Sequence, residues 1–223
     1  MRLALFDLDH TLLSGDSDML WCEFLIDEGL VDESFHDRNV EMLRRYTEGT
    51  VMPDEFCNFY AATLAGRSPD FWQPWRERLL VERVRPHICA DARALLRRHR
   101  EAGDTLVLTT ATNRVITEPI ARELGVDHHI ATEVELVAGY YTGRTRGVLN
   151  MRTGKVERVR EWLATQGLDE RVLKQAAFYS DSINDMPLLS TVGHPVVVDP
   201  DDRLHSAALR HGWKVLHFDR KQH

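Results

Sequence analysis

The stretch LALFDLDHTLLSGDSD, residues 3–18, decides the fold prediction, because a short apolar run stops abruptly at closely spaced acids. The apolar run and its polar stop predict a buried strand over Arg2–Phe6. Asp7 and Asp9, which are separated by one residue, directly follow this strand, and Asp16 and Asp18 come soon after. Because neighbouring carboxylates repel one another, their clustering at a strand end indicates that a cation sits among them.

The rest of the chain divides into a helical segment and an alternating segment. Residues 18–80 space their apolar side chains as helices do, and Pro86 then opens an alternation of strands and helices, which favours parallel pairing. We therefore predict a doubly wound, mainly parallel α/β sheet with an inserted all-helical cap: a core of residues 1–14 and 84–223, and a cap of residues 15–83. The predicted strands are 105–109, 130–132, 176–180, 195–198 and 213–217, with a small hairpin at 135–143, and the predicted helices are 90–102, 114–124, 155–166, 186–189 and 203–211.

The composition narrows the functional classes. The 223 residues are 43% hydrophobic and 28% charged, which is typical of a globular chain with one core and room for a subdomain. The net charge of −7 argues against a nucleic acid or an anionic membrane as partner. No run approaches the ~20 apolar residues of a membrane span, and the chain starts in a strand without a signal-peptide pattern. We therefore expect a cytoplasmic protein; a homodimer is compatible with the sequence.

Polar side chains follow three of the predicted strands. Asp7-x-Asp9-x-Thr11 follows the first, Thr110 lies at the end of a second, and Asp181-x-x-x-Asp185 follows a third. In such sheets, ligands bind beyond the carboxyl ends of the strands. A set of carboxylates without His or Cys suits Mg²⁺, which binds one or two carboxylates together with water and a substrate phosphate. A lysine and a hydroxyl suit the phosphate oxygens, so we expect a phosphoryl-transfer site for a small phosphate ester.

Each of these residues also has an ordinary structural interpretation. Thr109 and Thr112 compete with Thr110 for the phosphate-binding position, and Thr110 is favoured because Thr109 should still belong to the strand. Lys155 could be an exposed lysine in the first turn of a helix, although the helix dipole disfavours a cation there. Asp181 could cap the following helix.

In this order along the chain, Asp7-x-Asp9-x-Thr11, Thr110, Lys155 and Asp181-x-x-x-Asp185 resemble the four motifs of the haloacid dehalogenase-like hydrolases. The helical insert after the first motif is similar to the cap of the phosphoserine phosphatase-like branch. The resemblance covers essentially the whole chain and implies a phosphoric monoester hydrolase that depends on Mg²⁺.

The resemblance also implies a role for each motif residue. Asp7 would be the nucleophile that forms an aspartyl-phosphate, and Asp9 would be the general acid and then the general base. The carboxylates of Asp7 and Asp181 and the backbone carbonyl of Asp9 would bind Mg²⁺. Asp185 would orient water molecules or Lys155.

The same resemblance assigns the phosphate pocket. Thr110 and Lys155 would hold the transferring phosphoryl oxygens, together with backbone N–H groups after Asp7 and after Thr110, the latter belonging to Ala111. Asn184 would support this pocket.

The cap residues bear on the substrate. In the phosphoserine phosphatases an acid binds the substrate amine, and Asp16 occupies the matching position. An arginine in a later cap helix binds the carboxylate there, but the matching position here falls near Tyr60, in a stretch without arginine. An amine-bearing phosphate without a carboxylate, such as histidinol phosphate, would therefore suit Asp16 together with Trp21, Phe59 and Tyr60.

The sequence alone leaves other functions open. If Arg67 or Arg76 reaches inward, the chain could be a phosphoserine phosphatase, and a broad-range phosphatase for small molecules is a further alternative. A non-catalytic phosphoacceptor domain also carries clustered acids, a threonine and a lysine on a doubly wound sheet. That class would lack the cap and Asp9, so an enzyme is favoured.

Overall fold

The computed structural model describes residues 2–220, except for the side chain of residue 47; residues 1 and 221–223 of the predicted core lie outside this range. Within the described residues, seven strands form a single sheet in the order β4-β3-β2-β1-β5-β6-β7. Neighbouring strands pair in parallel, except for the antiparallel hairpin of β3 and β4. The strands are β1 (Leu3–Phe6), β2 (Thr105–Asn113), β3 (His128–Val137), β4 (Tyr140–Arg146), β5 (Ala177–Ser180), β6 (His194–Val198) and β7 (Lys214–Leu216).

The helices fall into two groups along the chain. Four of them lie between β1 and the first helix of the alternating segment, α5, and the others connect the parallel strands. No helix within residues 2–220 has both the length and the apolar character needed to cross a bilayer. The helices are α1 (Ser17–Asp27), α2 (Phe35–Thr47), α3 (Pro53–Ala61), α4 (Pro69–Leu79), α5 (Ala90–Glu101), α6 (Arg114–Leu124), α7 (Thr153–Thr165), α8 (Met186–Leu189) and α9 (Asp202–His211).

The central strand β1 determines where a ligand can bind. All four of its residues are buried, as expected for a parallel strand that is covered on both faces. β1 pairs with β2 on one side and with β5 on the other, although these strands are far apart in the chain. This is the switch point of the topology, where the connections on either side of the sheet diverge and leave a crevice.

Two apolar clusters cover the two faces of the sheet, and a third lies in the cap. On one face, Trp21 and Phe24 of α1 join the cluster that contains Phe6 of β1, so the first cap helix packs directly on the core. The other face packs against α7 and α9. Side chains of α2 and α3, among them Phe35 and Phe56, form the third cluster.

The β3–β4 hairpin supports the cap. The Tyr141 N–H donates to the Arg67 carbonyl over 3.0 Å, and the Gly66 N–H donates to the Tyr141 carbonyl over 2.9 Å. Gly143 lies so close to the cap that an added Cβ would stand 2.9 Å from the Cβ of Ala65, and its φ of +82° also favours glycine. The hairpin predicted at 135–143 therefore exists, and it extends to residue 146 because it packs against the insert.

Candidate active site

A cavity of about 230 Å³ opens at the carboxyl ends of β1, β2 and β5, between the sheet and the cap. Among the described residues that line this cavity there are six aspartates but only one lysine and no arginine. Its apolar wall comes mainly from the cap. The aspartates are Asp7, Asp9, Asp16, Asp18, Asp181 and Asp185, the lysine is Lys155, and the wall includes Leu43, Tyr46, Phe56 and Met151.

The turn after β1 brings both acids of the first motif to this cavity. The Asp7 N–H continues the sheet by donating to the Tyr179 carbonyl over 2.9 Å. Residues 8–12 then form a tight helical turn in which Asp9 is extended and His10 has a φ of +55°. The carboxylate of Asp9 accepts a hydrogen bond of 2.6 Å from the Ser17 N–H, the first residue of α1. The position of Asp9 is therefore linked to the point where the cap begins.

Lys155 is buried, with 2% of its surface exposed, so the interpretation as an exposed helix residue is wrong. Its Nζ donates to Asp7 Oδ1 and to Asp185 Oδ2, each over 2.8 Å. Asp185 Oδ2 accepts a further bond of 2.7 Å from Ser180 Oγ. Burial alone would lower the pKa of Lys155, but the carboxylates of Asp185 and Asp7 raise it above its ordinary value. The lysine is therefore a fixed cation between two carboxylates.

This one cation does not balance the acids. Burial raises the pKa of Asp7 to about 7, with Lys155 opposing and Asp185 adding to the rise. Burial also raises the pKa of Asp181, and the neighbouring Asp7 contributes. Thr11 Oγ1 fixes Asp181 by donating to its Oδ1 over 2.9 Å, and the same oxygen accepts from the Asp181 N–H. The cavity is therefore short of positive charge.

The residues present fit Mg²⁺. Asp7 and Asp181 offer hard carboxylate oxygens at one cavity, and their raised pKa values indicate that a second cation would be favourable. Among the described residues, no three side chains of His, Cys, Asp or Glu are grouped closely enough to hold a metal ion by themselves. The expected set needs only two carboxylates and the backbone carbonyl of Asp9, because Mg²⁺ keeps several water ligands.

The three threonines near the end of β2 have different surroundings. Thr109 Oγ1 accepts from the Asn150 side chain and lies away from the cavity. Thr110 is fully buried, and its hydroxyl contacts Asp9 Oδ2 at 3.4 Å and accepts from the Thr112 N–H. Ala111 and Thr112 line the cavity, whereas Thr110 does not. Thr110 thus supports Asp9 from behind, and Ala111 and Thr112 are the residues of this segment that face the cavity.

Two further acids face the cavity at the start of α1. Asp16 caps this helix by accepting from the Met19 N–H over 3.0 Å, and burial together with Asp9 raises its pKa to about 7. Asp18 is 5% exposed, and its Oδ2 accepts from Thr112 Oγ1 over 3.1 Å. The other oxygen, Oδ1, is buried without a hydrogen-bond partner. Such an oxygen is unfavourable unless a bound ligand supplies a donor or a positive charge.

Asn184 lies where the core meets the cap. Its Nδ2 donates to the Tyr46 hydroxyl of α2 over 2.7 Å, and its Oδ1 accepts from Arg152 Nε over 3.3 Å. Both Asn184 and Tyr46 line the cavity. Asn184 therefore links the core wall and the cap wall of the cavity.

The structure does not place Tyr60 at the cavity. Tyr60 is 1% exposed, and its hydroxyl donates to Asn39 Oδ1 inside the cap. Trp21 donates to Thr63 and is likewise part of the packing. Tyr60, Trp21 and Phe59 are all absent from the described lining. Tyr46 of α2 and Phe56 of α3 supply the aromatic surface of the cavity instead.

The two arginines that could have bound a substrate carboxylate are engaged elsewhere. Arg76 donates to the Val115 carbonyl and to Glu118. Arg67 lies over the ring of Phe71, with its Cζ 4.8 Å from the ring centroid. Neither side chain lines the cavity.

Sequence reasoning missed Asp18, Thr112 and Tyr46 as lining residues. Asp18 stands in the opening stretch, but a second acid in the first turn of a helix is usually exposed at a helix N-terminus. Thr112 could have been found from the sequence, since it was one of three threonines considered for the phosphate-binding position. The only sequence signal for Tyr46 was its place in the helical spacing of apolar residues, which packing inside the cap explains equally well.

A doubly wound sheet with a helical cap over a cavity of carboxylates and one buried lysine defines a hydrolase of the phosphoryl-transfer class. The haloacid dehalogenase-like hydrolase family matches residues 4–190, and the chain belongs to this family. It is a phosphatase, a phosphoric monoester hydrolase of that family.

Three known proteins show the extent of the similarity. The chain is 38% identical over 219 residues to a histidinol-phosphatase of Neisseria meningitidis serogroup C (strain 8013), with 97% of this chain and 99% of that protein covered. It is 34% identical over 223 residues to the phosphoserine phosphatase SerB1 of Mycobacterium tuberculosis (strain ATCC 25618 / H37Rv), covering 96% of this chain and 70% of that protein. A crystal structure of a protein of unknown function from Bordetella pertussis Tohama I is 42% identical, with a TM-score of 0.92 and coverage of 96% and 97%.

Proposed function

We propose that the chain is a Mg²⁺-dependent phosphatase that hydrolyses histidinol phosphate. The observation that carries this proposal is the charge of the cavity, in which six aspartates face a single lysine and no described arginine. Such a cavity favours a substrate with a positively charged nitrogen. It disfavours a substrate with a second anionic group besides the phosphate.

Histidinol phosphate fits these requirements better than phosphoserine does. Its ammonium group can pair with the carboxylates of Asp16 and Asp18, which both line the cavity. Its imidazole ring suits the wall formed by Tyr46 and Phe56. The carboxylate of phosphoserine would instead be desolvated among carboxylates, because Lys155 is already held by two aspartates.

The relatives support both substrates to different degrees. The similarity to the Neisseria histidinol-phosphatase covers nearly all of both chains and supports the proposal. The similarity to SerB1, which carries the phosphoserine phosphatase name, favours phosphoserine as the second candidate. The absence of an arginine from the described cavity lining argues for the first.

The proposed reaction begins with Asp7. A carboxylate oxygen of Asp7 attacks phosphorus, and the bond from phosphorus to the substrate oxygen breaks to leave an aspartyl-phosphate. Asp9 gives its proton to the departing alkoxide, which leaves as the alcohol. Asp9 then takes a proton from a water molecule that attacks the same phosphorus, which releases inorganic phosphate and restores Asp7.

Other residues hold the phosphoryl group. Lys155 donates to the phosphoryl oxygens from its position beside Asp7, and Ala111, which lines the same cavity, would donate its N–H to them. Asp7, Asp181 and the Asp9 carbonyl would hold Mg²⁺, which when bound neutralises phosphate charge and polarises phosphorus. Asp185 orients Lys155, Thr110 supports Asp9, and Asn184 supports the pocket.

The division into a core of residues 1–14 and 84–223 and a cap of residues 15–83 belongs to the same proposal. The core would supply the phosphoryl-transfer groups. The cap would select the leaving group through Asp16, Asp18 and Tyr46, all of which lie in it.

A kinetic panel tests the proposal. We expect kcat/KM for histidinol phosphate to exceed that for phosphoserine by about 100-fold, which corresponds to about 2.7 kcal/mol of differential transition-state binding. The panel also contains sugar phosphates, nucleoside monophosphates and p-nitrophenyl phosphate, with Mg²⁺ or with EDTA. Asp18→Asn should lower kcat/KM for histidinol phosphate by about 10-fold, with Asp27→Asn on the outer face of α1 as the matched control. A preference for phosphoserine would establish the second candidate instead.

A further inference from the structure

The last described residue, Arg220, contacts the turn that carries Asp9. Its guanidinium makes five hydrogen bonds, four of them to the segment of residues 10–14 and one to Asp199. Nη2 donates to the carbonyls of His10 (2.6 Å) and Thr11 (3.1 Å), Nη1 to the Leu13 carbonyl (3.1 Å) and Ser14 Oγ (3.2 Å), and Nε to Asp199 Oδ2 (2.7 Å).

The segment needs such a donor. Its first residue, His10, has a φ of +55°, a conformation that non-glycine residues adopt only when their surroundings hold them there. Two backbone bonds brace the turn from within, from His10 N–H to the Gly15 carbonyl and from Leu13 N–H to the Leu8 carbonyl. The carbonyls of residues 10, 11 and 13 point outwards, where the planar fork of an arginine can bind several acceptors at once.

The arginine is anchored to the sheet. Asp199 directly follows β6, and its N–H donates to the Leu216 carbonyl of β7 over 2.9 Å. The carboxylate of Asp199 accepts from Arg220 and also from the Phe218 N–H. Phe218 packs against the core cluster that contains Phe6 of β1. The tail therefore connects a rigid part of the fold to the turn.

The turn determines the geometry of Asp9. The Asp9 carboxylate accepts from the Ser17 N–H at the start of α1, and residues 10–14 are the chain between them. A shift of this segment would move Asp9 relative to Asp7, although Arg220 is not among the cavity-lining residues.

We propose that Arg220 is a positioning residue, through which the C-terminal tail holds the turn so that Asp9 faces the leaving oxygen. The inference rests on the proposed role of Asp9 as general acid. Its consequence is specific: loss of Arg220 impairs proton donation to the leaving group, while phosphate binding at Lys155 persists.

The test compares leaving groups in Arg220→Ala. Single-turnover release is measured for p-nitrophenyl phosphate, whose leaving group needs little protonation, and for the best alkyl ester of the panel above. We expect the alkyl ester to slow by about 10-fold to 100-fold and the nitrophenyl ester by less than about 3-fold. Added guanidinium ion should restore much of the loss, because the Arg220 side chain is 22% exposed and solvent can reach its site.

Three further variants make the result decisive. Arg171→Ala removes an arginine that pairs with Asp169 on the surface and should change neither rate. Asp9→Asn serves as the benchmark for lost proton donation. If Asp9→Asn shows the leaving-group difference and Arg220→Ala slows both esters equally or neither, the positioning role is wrong. If Asp9→Asn itself shows no difference, the proposed role of Asp9 is wrong. Arg220→Lys, which keeps the charge but not the fork, should give an intermediate loss.

Discussion

Replacing Lys155 with methionine is the most informative single perturbation of the site. Methionine keeps much of the side-chain length and removes the charge. In the structure this leaves Asp7 and Asp185 buried with no cation between them. Removal of one partner from a buried ion pair costs about 3–5 kcal/mol, because the remaining charge stays desolvated. Since folded domains have only about 5–15 kcal/mol of stability, the loss should be large at neutral pH.

The loss should depend on pH. The pKa of Asp7 is already raised from 3.8 to about 7, and without Lys155, which opposes that rise, it should increase further. In both proteins the folded state binds a proton that the unfolded state releases, so stability falls as pH rises from about 4. In the variant this fall continues above about pH 7, where Asp7 of the wild type is ionised, so the loss relative to the wild type grows there. Each such proton changes the free energy of unfolding by about 1.4 kcal/mol per pH unit. Lys155 does not contribute to the pH dependence of the wild type in this range, because it is charged both in the folded state, where its pKa is raised, and in the unfolded state, where the ordinary lysine pKa applies.

Urea unfolding followed by circular dichroism, in EDTA, measures both effects. We expect Lys155→Met to lose about 3–5 kcal/mol at about pH 8 and distinctly less at about pH 5.5. Lys174→Met is the matched control, because the exposed Lys174 only donates to a backbone carbonyl. A loss below about 1 kcal/mol, or one that does not change with pH, would refute the electrostatic account of the site.

Three further predictions follow from the same geometry. Asp9→Asn should lower kcat by about 10²-fold to 10⁴-fold in steady-state assays, and unchanged turnover would contradict its role as acid and base. Mg²⁺ at about 100 times its dissociation constant should stabilise the wild type by about 2.7 kcal/mol in thermal unfolding, and Asp181→Asn should abolish most of this gain; an equal gain in both would exclude Asp181 as a ligand. Tyr60→Phe should cost about 1 kcal/mol of stability without changing KM, because its hydroxyl bonds to Asn39, whereas Tyr46→Phe should raise KM by about 3-fold; the reverse pattern would restore Tyr60 as a substrate contact.

The order and type of the elements could be predicted because they depend on local patterns. The helices 114–124 and 186–189 have the predicted bounds, and Gly125 ends the first of them in the left-handed conformation. The strand predicted over 105–109 instead continues to Asn113, since β3 pairs with its polar end. A run of threonines with an asparagine looks like a turn locally, and only a neighbouring strand makes it part of the sheet.

The candidate site was predictable to the extent that it lies at strand ends. Asp7, Asp9, Asp181 and Asp185 all reach one cavity because parallel strands align their carboxyl ends, and Lys155 reaches the same cavity from the first turn of α7. The cap residues were not predictable in the same way. An amphipathic helix in the sequence shows an apolar face, but not which part of that face covers a cavity and which part packs inside the cap.

The sequence by itself determined the class of fold, the edge of the sheet where the chemistry lies and the acids of the strand ends that reach it, because hydrophobic periodicity and strand-ending acids are local properties. Tertiary structure alone decided that Asp18 meets Thr112, 94 positions away, and that Arg220 holds the His10 carbonyl, 210 positions away. Such contacts depend on how separate elements pack. A single sequence carries no local signal for them.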